Sequence, residues 1–279
     1  LLGAFVSGFS MCMLNTVVNP LLNTLGGGGN RGNQLIQIGG SCNSLAATIV
    51  PVLAGLLIGE VTEKTQVADV NLALFIAMAI FALAFVIIFF SEIPEPELEA
   101  AKAENAEKKE GTLDSIKGAL SYKHFVFGAI AIFLYVGIEV GIPNMANLYM
   151  TSPDGLGMIP GVAGTLVGAY WFLMLCGRLV GGAVGGKVSS RAMMTFVSSL
   201  AIVFVLLGMF LPETLTMSLL DAQVPVGMVC FVLCGLCTSI MWGAIFNLAV
   251  EGLGKYTSIA SGLFMVMVCG GGLLPLLQG

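Results

Sequence analysis

Glu139 is the carboxylate of this chain that sits deep inside an apolar stretch. A charge at the centre of a bilayer costs at least ~2.5–3.5 kcal/mol, so a residue of this kind answers to a partner, a cavity or a proton. Two chemistries are open to it: taking up and releasing a proton, or a structural hydrogen bond to a neighbouring helix. Pro143 follows four residues later. Proline has no N–H, so the Glu139 carbonyl loses its intrahelical donor and is free to meet another group. Asn144 and Asn147 come next, on adjacent turns. This spacing predicts an acid, a broken helix and two amides in one segment, the kind of element that lines a polar chamber at membrane depth.

Further amides lie in other apolar stretches. Asn15 and Asn19 share a helical face, with Pro20 next, Asn43 falls one turn after Gly39 and Gly40, and Asn247 lies farther on. Trp171 follows Tyr170, and Trp242 stands alone. Amides both donate to and accept from hydroxyls, and an indole face covers the apolar face of a sugar ring. Asn15, Asn19, Asn43, Asn144, Asn147, Trp171, Trp242 and Asn247 are therefore expected to wall a chamber suited to a neutral polyol or sugar. The competing role for each asparagine is an interhelical hydrogen bond. For each tryptophan it is packing or a place in an interfacial belt. An anionic ligand would call for buried cations, and Arg178 alone is available for that. It sits in Gly177-Arg178-Leu179-Val180-Gly181-Gly182 and is expected near the cytoplasmic end of its helix, paired with a neighbour and helping to gate that side without touching substrate.

Other chemistries do not survive inspection. Gly181-x₄-Gly186-Lys187 approaches a phosphate-binding loop, but Val188 stands where a Ser or Thr must reach Mg²⁺, and no strand precedes it. His124 is the one histidine, which excludes a His-built zinc site, and no metal or cofactor is expected. The seven cysteines all lie in apolar runs and read as small packing residues. No basic stripe offers itself to nucleic acid, and no clustered nucleophile and base points to an enzyme.

The elements that must hold these residues follow from composition. The 279 residues are 57% hydrophobic and 10% charged, against roughly 25% charged in soluble domains. Water could not cover that much apolar surface, so the solvent is a bilayer. Segments of about 20 apolar residues cross it as helices, because lipid offers no partner to an open strand edge. Eight are expected, at 1–25, 34–59, 70–91, 124–151, 161–186, 191–211, 224–250 and 257–278. Leu1 opens within an apolar run and Gly279 closes without a polar tail, so a stretch of a longer chain is expected.

Basic residues orient the segments, since cytoplasmic loops carry the excess of Lys and Arg. The odd-numbered loops hold Arg31, Lys102, Lys108, Lys109, Lys117, Lys123, Lys187, Arg191 and Lys255, and the even-numbered loops hold only Lys64. The odd loops are therefore cytoplasmic. Residues 92–123 form a long linker rich in Glu, Lys and Ala, with a short amphipathic helix expected at Leu113–Leu120. The first two segments repeat in the last two. Asn19, Leu25 and Gly26 match Asn247, Leu253 and Gly254 at constant spacing, and Pro51 and Gly55 match Pro275 and Gly279. Six helices separate the two copies, so they run parallel across the membrane, as the halves of major facilitator transporters do.

Four stretches carry a family resemblance: Asn15-Thr-Val-Val-Asn19-Pro20, Phe133-Leu-Tyr-Val-Gly-Ile-Glu139-Val-Gly, Gly177-Arg178-Leu-Val-Gly181, and Ser239-Ile-Met-Trp242 running on to Gly252-Leu-Gly-Lys255-Tyr-Thr. In these the chain resembles the fucose:proton symporter family of the major facilitator superfamily, including its bacterial glucose/galactose members. The resemblance implies an all-α membrane fold of twelve helices, of which helices four to eleven are visible. Residues 1–91 would belong to the first six-helix bundle, 92–123 to the linker and 124–279 to the second bundle. It also implies proton-driven hexose uptake by alternating access across a bacterial plasma membrane, with Na⁺ the other coupling ion. Glu139 is then the coupling candidate, and Pro20, Pro143 and Arg178 are structural or gating. The chain departs from the fucose pattern at Asn15, where fucose carriers have glutamate, and at Gly40, where they have glutamine, while Asn43 keeps its family position. An uncoupled facilitator and a non-transporting sensor are the competing roles.

Overall fold

The computed structural model describes residues 2–58, 67–92, 111–219 and 222–278, without the side chains at 4, 50–58 and 67–69. Pro51, Gly55, Lys64 and most of the linker charges therefore lie outside the described side chains. The described helices are α1 (Leu2–Leu25), α2 (Gly29–Ile58), α3 (Val67–Phe90), α4 (Thr112–Leu120), α5 (Lys123–Thr151), α6 (Pro160–Val184), α7 (Ser190–Phe210), α8 (Val226–Val250), α9 (Thr257–Met267) and α10 (Gly270–Gln278). Seven helical stretches among the described residues are long and apolar enough to cross a membrane, with α9 and α10 counted as one. α2 is an eighth long helix. Its first turns carry Asn30, Arg31, Asn33, Gln34 and Gln37 and are much more polar.

The chain forms two compact units, residues 1–44 with 109–279, and residues 45–108. The second holds the end of α2 and all of α3, whose large apolar side chains are exposed all round, as lipid contact requires. The first unit is built on α8. That helix is buried along most of its length and packs against α5, α6 and α7.

Glycines set these contacts. A Cβ on Gly235 of α8 would meet the Tyr170 carbonyl of α6, one on Gly177 of α6 would meet the Ser239 hydroxyl, and one on Gly128 of α5 would meet Ala249. Lipid is as apolar as the side chains, so close backbone approach through small residues replaces the hydrophobic effect as the packing force. The α1–α2 turn uses glycine differently. Gly27, Gly28 and Gly29 have φ of 73°, 71° and 55°, a left-handed path that lets the Gly28 N–H close on the Asn23 carbonyl at 2.9 Å.

One sequence expectation is corrected. The helix is not broken at Pro143, since α5 runs unbroken from Lys123 to Thr151, and α1 runs unbroken through Pro20. The break falls in the last segment, between α9 and α10. There, successive amides from Val268 to Gly272 turn to carbonyls three residues back, and three glycines follow. Gly270 lets α10 approach the Phe133 carbonyl of α5. After α7, β1 (Thr216–Leu219) and β2 (Ala222–Pro225) form a two-stranded antiparallel ribbon. Outside the hydrocarbon, water satisfies its open edges. The amphipathic α4 packs on α9 and α5, with Gly118 against the Tyr256 ring and Ala119 fully buried.

Even a methyl group at Gly235 must displace the α6 backbone. Gly235→Ala is expected to destabilise the protein by about 1–3 kcal/mol, read as a lowered melting temperature in detergent. An unchanged melting temperature would mean that α6 and α8 do not pack on that glycine.

Candidate functional site

Four helices bring polar groups to one buried place. α5 supplies Tyr135 and Glu139, one turn apart on the same face. α6 supplies Tyr170 and Arg178, two turns apart. α8 supplies Thr238 and Ser239, and α2 supplies Gly40 and Ser44. Glu139 and Arg178 are each only 9% exposed. The Arg178 Nη2 lies 3.4 Å from Glu139 Oε1. A buried carboxylate next to a buried guanidinium avoids the cost of either charge alone.

Arginine carries five N–H donors in a rigid fork, and burial requires that they find acceptors. Arg178 Nη1 donates to the Gly40 carbonyl at 3.0 Å and to Ser44 Oγ at 2.8 Å, and Nε donates to the Ser239 carbonyl at 3.4 Å. One side chain therefore ties α6 to α5, α8 and α2. Gly40 lies against the Arg178 side chain, and a Cβ there would stand in ordinary contact with it, 3.5 Å from Cδ.

The carbonyl left free by Pro143 is occupied. The Tyr170 hydroxyl donates to the Glu139 carbonyl at 3.1 Å, and Thr238 Oγ1 lies 3.2 Å from the same hydroxyl. Tyr135 adds a second tie, donating to the Thr238 carbonyl at 2.9 Å. This is why the helix continues through the proline. The lost main-chain bond is replaced from a neighbouring helix.

Toward the start of α2, the same face closes on α6 and α8. Gln34 Nε2 donates to the Gly182 carbonyl at 2.9 Å and Gln37 Nε2 to the Ile240 carbonyl at 2.8 Å. Cβ atoms on Gly182, Gly185, Gly186 and Gly243 would meet Ile38, Gln34 or Gln37. Glutamine amides reach helix carbonyls because each carbonyl has a second lone pair. Sequence reasoning missed Gln34, Gln37, Ser44, Tyr135, Thr238 and Ser239. The signal was present in the one-face spacing of Gln34, Gln37, Ser41 and Ser44, and in the run Gly181, Gly182, Gly185, Gly186.

The expected chamber residues are placed variously. Asn15 and Asn19 are half-buried on α1, with Asn19 Nδ2 donating to the Asn15 carbonyl at 3.0 Å, and Pro20 is buried beside them. Asn43 is exposed, next to Ser44, and Asn144 and Asn147 are exposed on the outer part of α5. Trp171 is half-buried, edge-on to Tyr170 with ring centroids 5.3 Å apart. Trp242 stacks on Phe246 and meets Phe264 edge-on. Asn247 is buried in the last turn of α8, its Nδ2 donating to Ser190 Oγ of α7 at 3.0 Å. Glu139 and Arg178 are thus brought together, Asn43 is the chain neighbour of the Ser44 that binds Arg178, and Trp242 and Asn247 lie farther along α8. A separate cavity of about 400 Å³ opens between α5, α7 and α8 and is lined by Ile142, Met145, Met209, Met228 and Phe231. Tyr149, Glu213 and Gln278 add polar groups to its wall, which holds none of the expected chamber residues.

Comparison with known proteins places this arrangement. The model of the Major Facilitator Superfamily matches residues 1–275. The chain is 30% identical, over its whole length, to a glucose/galactose transporter of Brucella abortus, of which it covers 64%. It is 22% identical to the L-fucose-proton symporter of Escherichia coli, again over its whole length and 64% of that protein. The chain thus spans just under two thirds of these relatives. In structure it resembles a major facilitator transporter, FucP, crystallised in the outward conformation. That likeness has a TM-score of 0.75 at 20% identity and covers 95% of this chain and 65% of that one.

If the ion pair is mutually dependent, losing one partner must cost more than losing both. Arg178→Met strands a buried carboxylate and is expected to cost about 3–5 kcal/mol, whereas Glu139→Met with Arg178→Met restores much of the loss. Thermal unfolding of the two single variants and the double variant reads this, and strictly additive losses would show that the two charges do not interact.

Proposed function

The chain belongs to the major facilitator superfamily, and on that premise we propose that it carries a neutral monosaccharide, a hexose such as glucose or galactose, inward across a bacterial plasma membrane together with a proton. The observation that carries this reading is the buried Glu139–Arg178 pair, whose arginine also grips α2. Residues 1–91 and 124–279 are the parts that move against each other, joined by the cytoplasmic linker 92–123. Alternating access is their rocking about a central site.

The proton has a place to act in this arrangement. While Glu139 is ionised, its charge holds one arm of the Arg178 fork. Protonation removes that charge and leaves Arg178 to its neutral acceptors on α2 and α8. Gln34 and Gln37 make the cytoplasmic closure, and because their bonds are to neutral carbonyls they can be exchanged for water without stranding a charge. A change of protonation at Glu139 thus alters the strength of the contact that must open on the cytoplasmic side. A ligand or proton shifts such an equilibrium only by its differential affinity for the two states, and Glu139 supplies that difference.

Asn15, Asn19, Asn43, Asn144 and Asn147 line the sugar path in this reading, with Trp171, Trp242 and Asn247 completing its wall. Uncharged amides match hydroxyls without imposing a charge, which suits a neutral hexose. The likeness to a glucose/galactose transporter supports the same choice of substrate, and the likeness to a fucose-proton symporter supports the proton.

Uptake of labelled hexose into proteoliposomes bearing the full-length protein tests the reading. An inward proton gradient is expected to drive accumulation, and a protonophore to abolish it. Glu139→Gln is expected to lower the internal-to-external ratio to unity while sugar exchange continues. Normal accumulation by Glu139→Gln would remove this residue from coupling, and protonophore-insensitive uptake by the unaltered protein would mark an uncoupled facilitator or a Na⁺-driven carrier.

A further inference from the structure

We propose that Tyr170 is the positioning residue for Glu139, acting by replacing the main-chain hydrogen bond that Pro143 removes. This rests on the coupling role of Glu139 proposed above. The bond joins the Tyr170 hydroxyl to the Glu139 carbonyl over 3.1 Å. A carbonyl accepts and cannot donate, so this bond uses the phenol proton; Thr238 Oγ1, whose own proton reaches the Cys234 carbonyl at 3.1 Å, lies 3.2 Å from the phenol oxygen. Tyr170 is 1% exposed, so no water substitutes for it. The ring is locked from both sides: Trp171 lies edge-on to it, and Gly235 of α8 approaches the Tyr170 backbone and ring.

The consequence concerns geometry more than stability. Tyr170 and Arg178 stand two turns apart on one face of α6. The same helix therefore holds Glu139 at two points, by its backbone through Tyr170 and by its side chain through Arg178. Removing the phenol leaves a buried carbonyl without a donor, next to a proline that cannot supply one. The segment from Glu139 to Pro143 then relaxes away from α6, and the carboxylate loses its register with the guanidinium. Tyr170 touches neither sugar nor proton in this account.

The test uses a compensation that a general packing role would not show. In Tyr170→Phe the ring remains and only the hydroxyl is lost. In Pro143→Ala an N–H returns at the position that donates to the Glu139 carbonyl. The full-length protein is reconstituted in proteoliposomes. Tyr170→Phe is expected to lower the proton-driven accumulation ratio roughly two- to tenfold, the range set by one lost hydrogen bond, and to flatten its dependence on external pH, with hexose counterflow unchanged. Pro143→Ala combined with Tyr170→Phe is expected to recover both the ratio and the pH profile. Melting temperatures of the same four proteins form a cycle that needs no transport, and the loss in Tyr170→Phe should again be recovered in the double variant. Failure of Pro143→Ala to rescue either readout overturns the proposal, as does wild-type behaviour of Tyr170→Phe. If the unaltered protein shows no proton coupling while the melting cycle still shows rescue, then the coupling role of Glu139 has failed and the hydrogen-bond replacement stands.

Discussion

A charge inside hydrocarbon must bring its own solvent, and in this protein the solvent of Glu139 is Arg178. The guanidinium in turn has more donors than one carboxylate can use. The remaining N–H groups draw in the Gly40 and Ser239 carbonyls and the Ser44 hydroxyl. One buried acid thereby recruits three further helices. The packing around the pair follows from that demand. Gly177 lets α6 approach Ser239 closely enough for the contacts to form.

This kind of assembly suits the rocking motion proposed above. A close-packed apolar core is held everywhere at once. Here, the contacts between α2 and its neighbours are a short ladder of Gln34, Gln37 and Arg178 bonds to backbone and hydroxyl oxygens, set against a glycine surface. Each is individually modest, because hydrogen bonds made on folding are offset by those lost to water. A surface of glycines offers no interlocking side chains to strip away. α8 is different: it is buried on several sides and pinned by Gly208, Gly235 and Ala249 contacts, as a static post should be.

Pro143 shows how local chemistry and tertiary structure exchange roles. Proline in a helix removes a donor, and the segment after Glu139 has the makings of a break. The break does not occur because Tyr170 arrives from α6 with a hydroxyl at the required position. The last segment has no such support at Val268–Cys269, and there the helix divides where three glycines follow. Asn247 is proposed for the chamber wall, and a second bond to it comes from tertiary structure. In the fold it binds Ser190 and ties α8 to α7, a contact between residues far apart in sequence.

By itself the sequence determined the solvent, the number of the long segments and the presence of an unusual acid. Hydropathy and the placement of Lys and Arg are sums over neighbouring residues, and a bilayer reads them segment by segment. It also determined that the Glu139 carbonyl would need an outside donor, since that follows from one proline four residues away. Which donor arrives, which acceptors Arg178 finds, and which asparagines face a common space were decided only by tertiary structure. Those outcomes depend on the rotation and spacing of helices that meet through glycines, and a difference of one turn or a few ångströms carries an amide from a chamber to a helix contact.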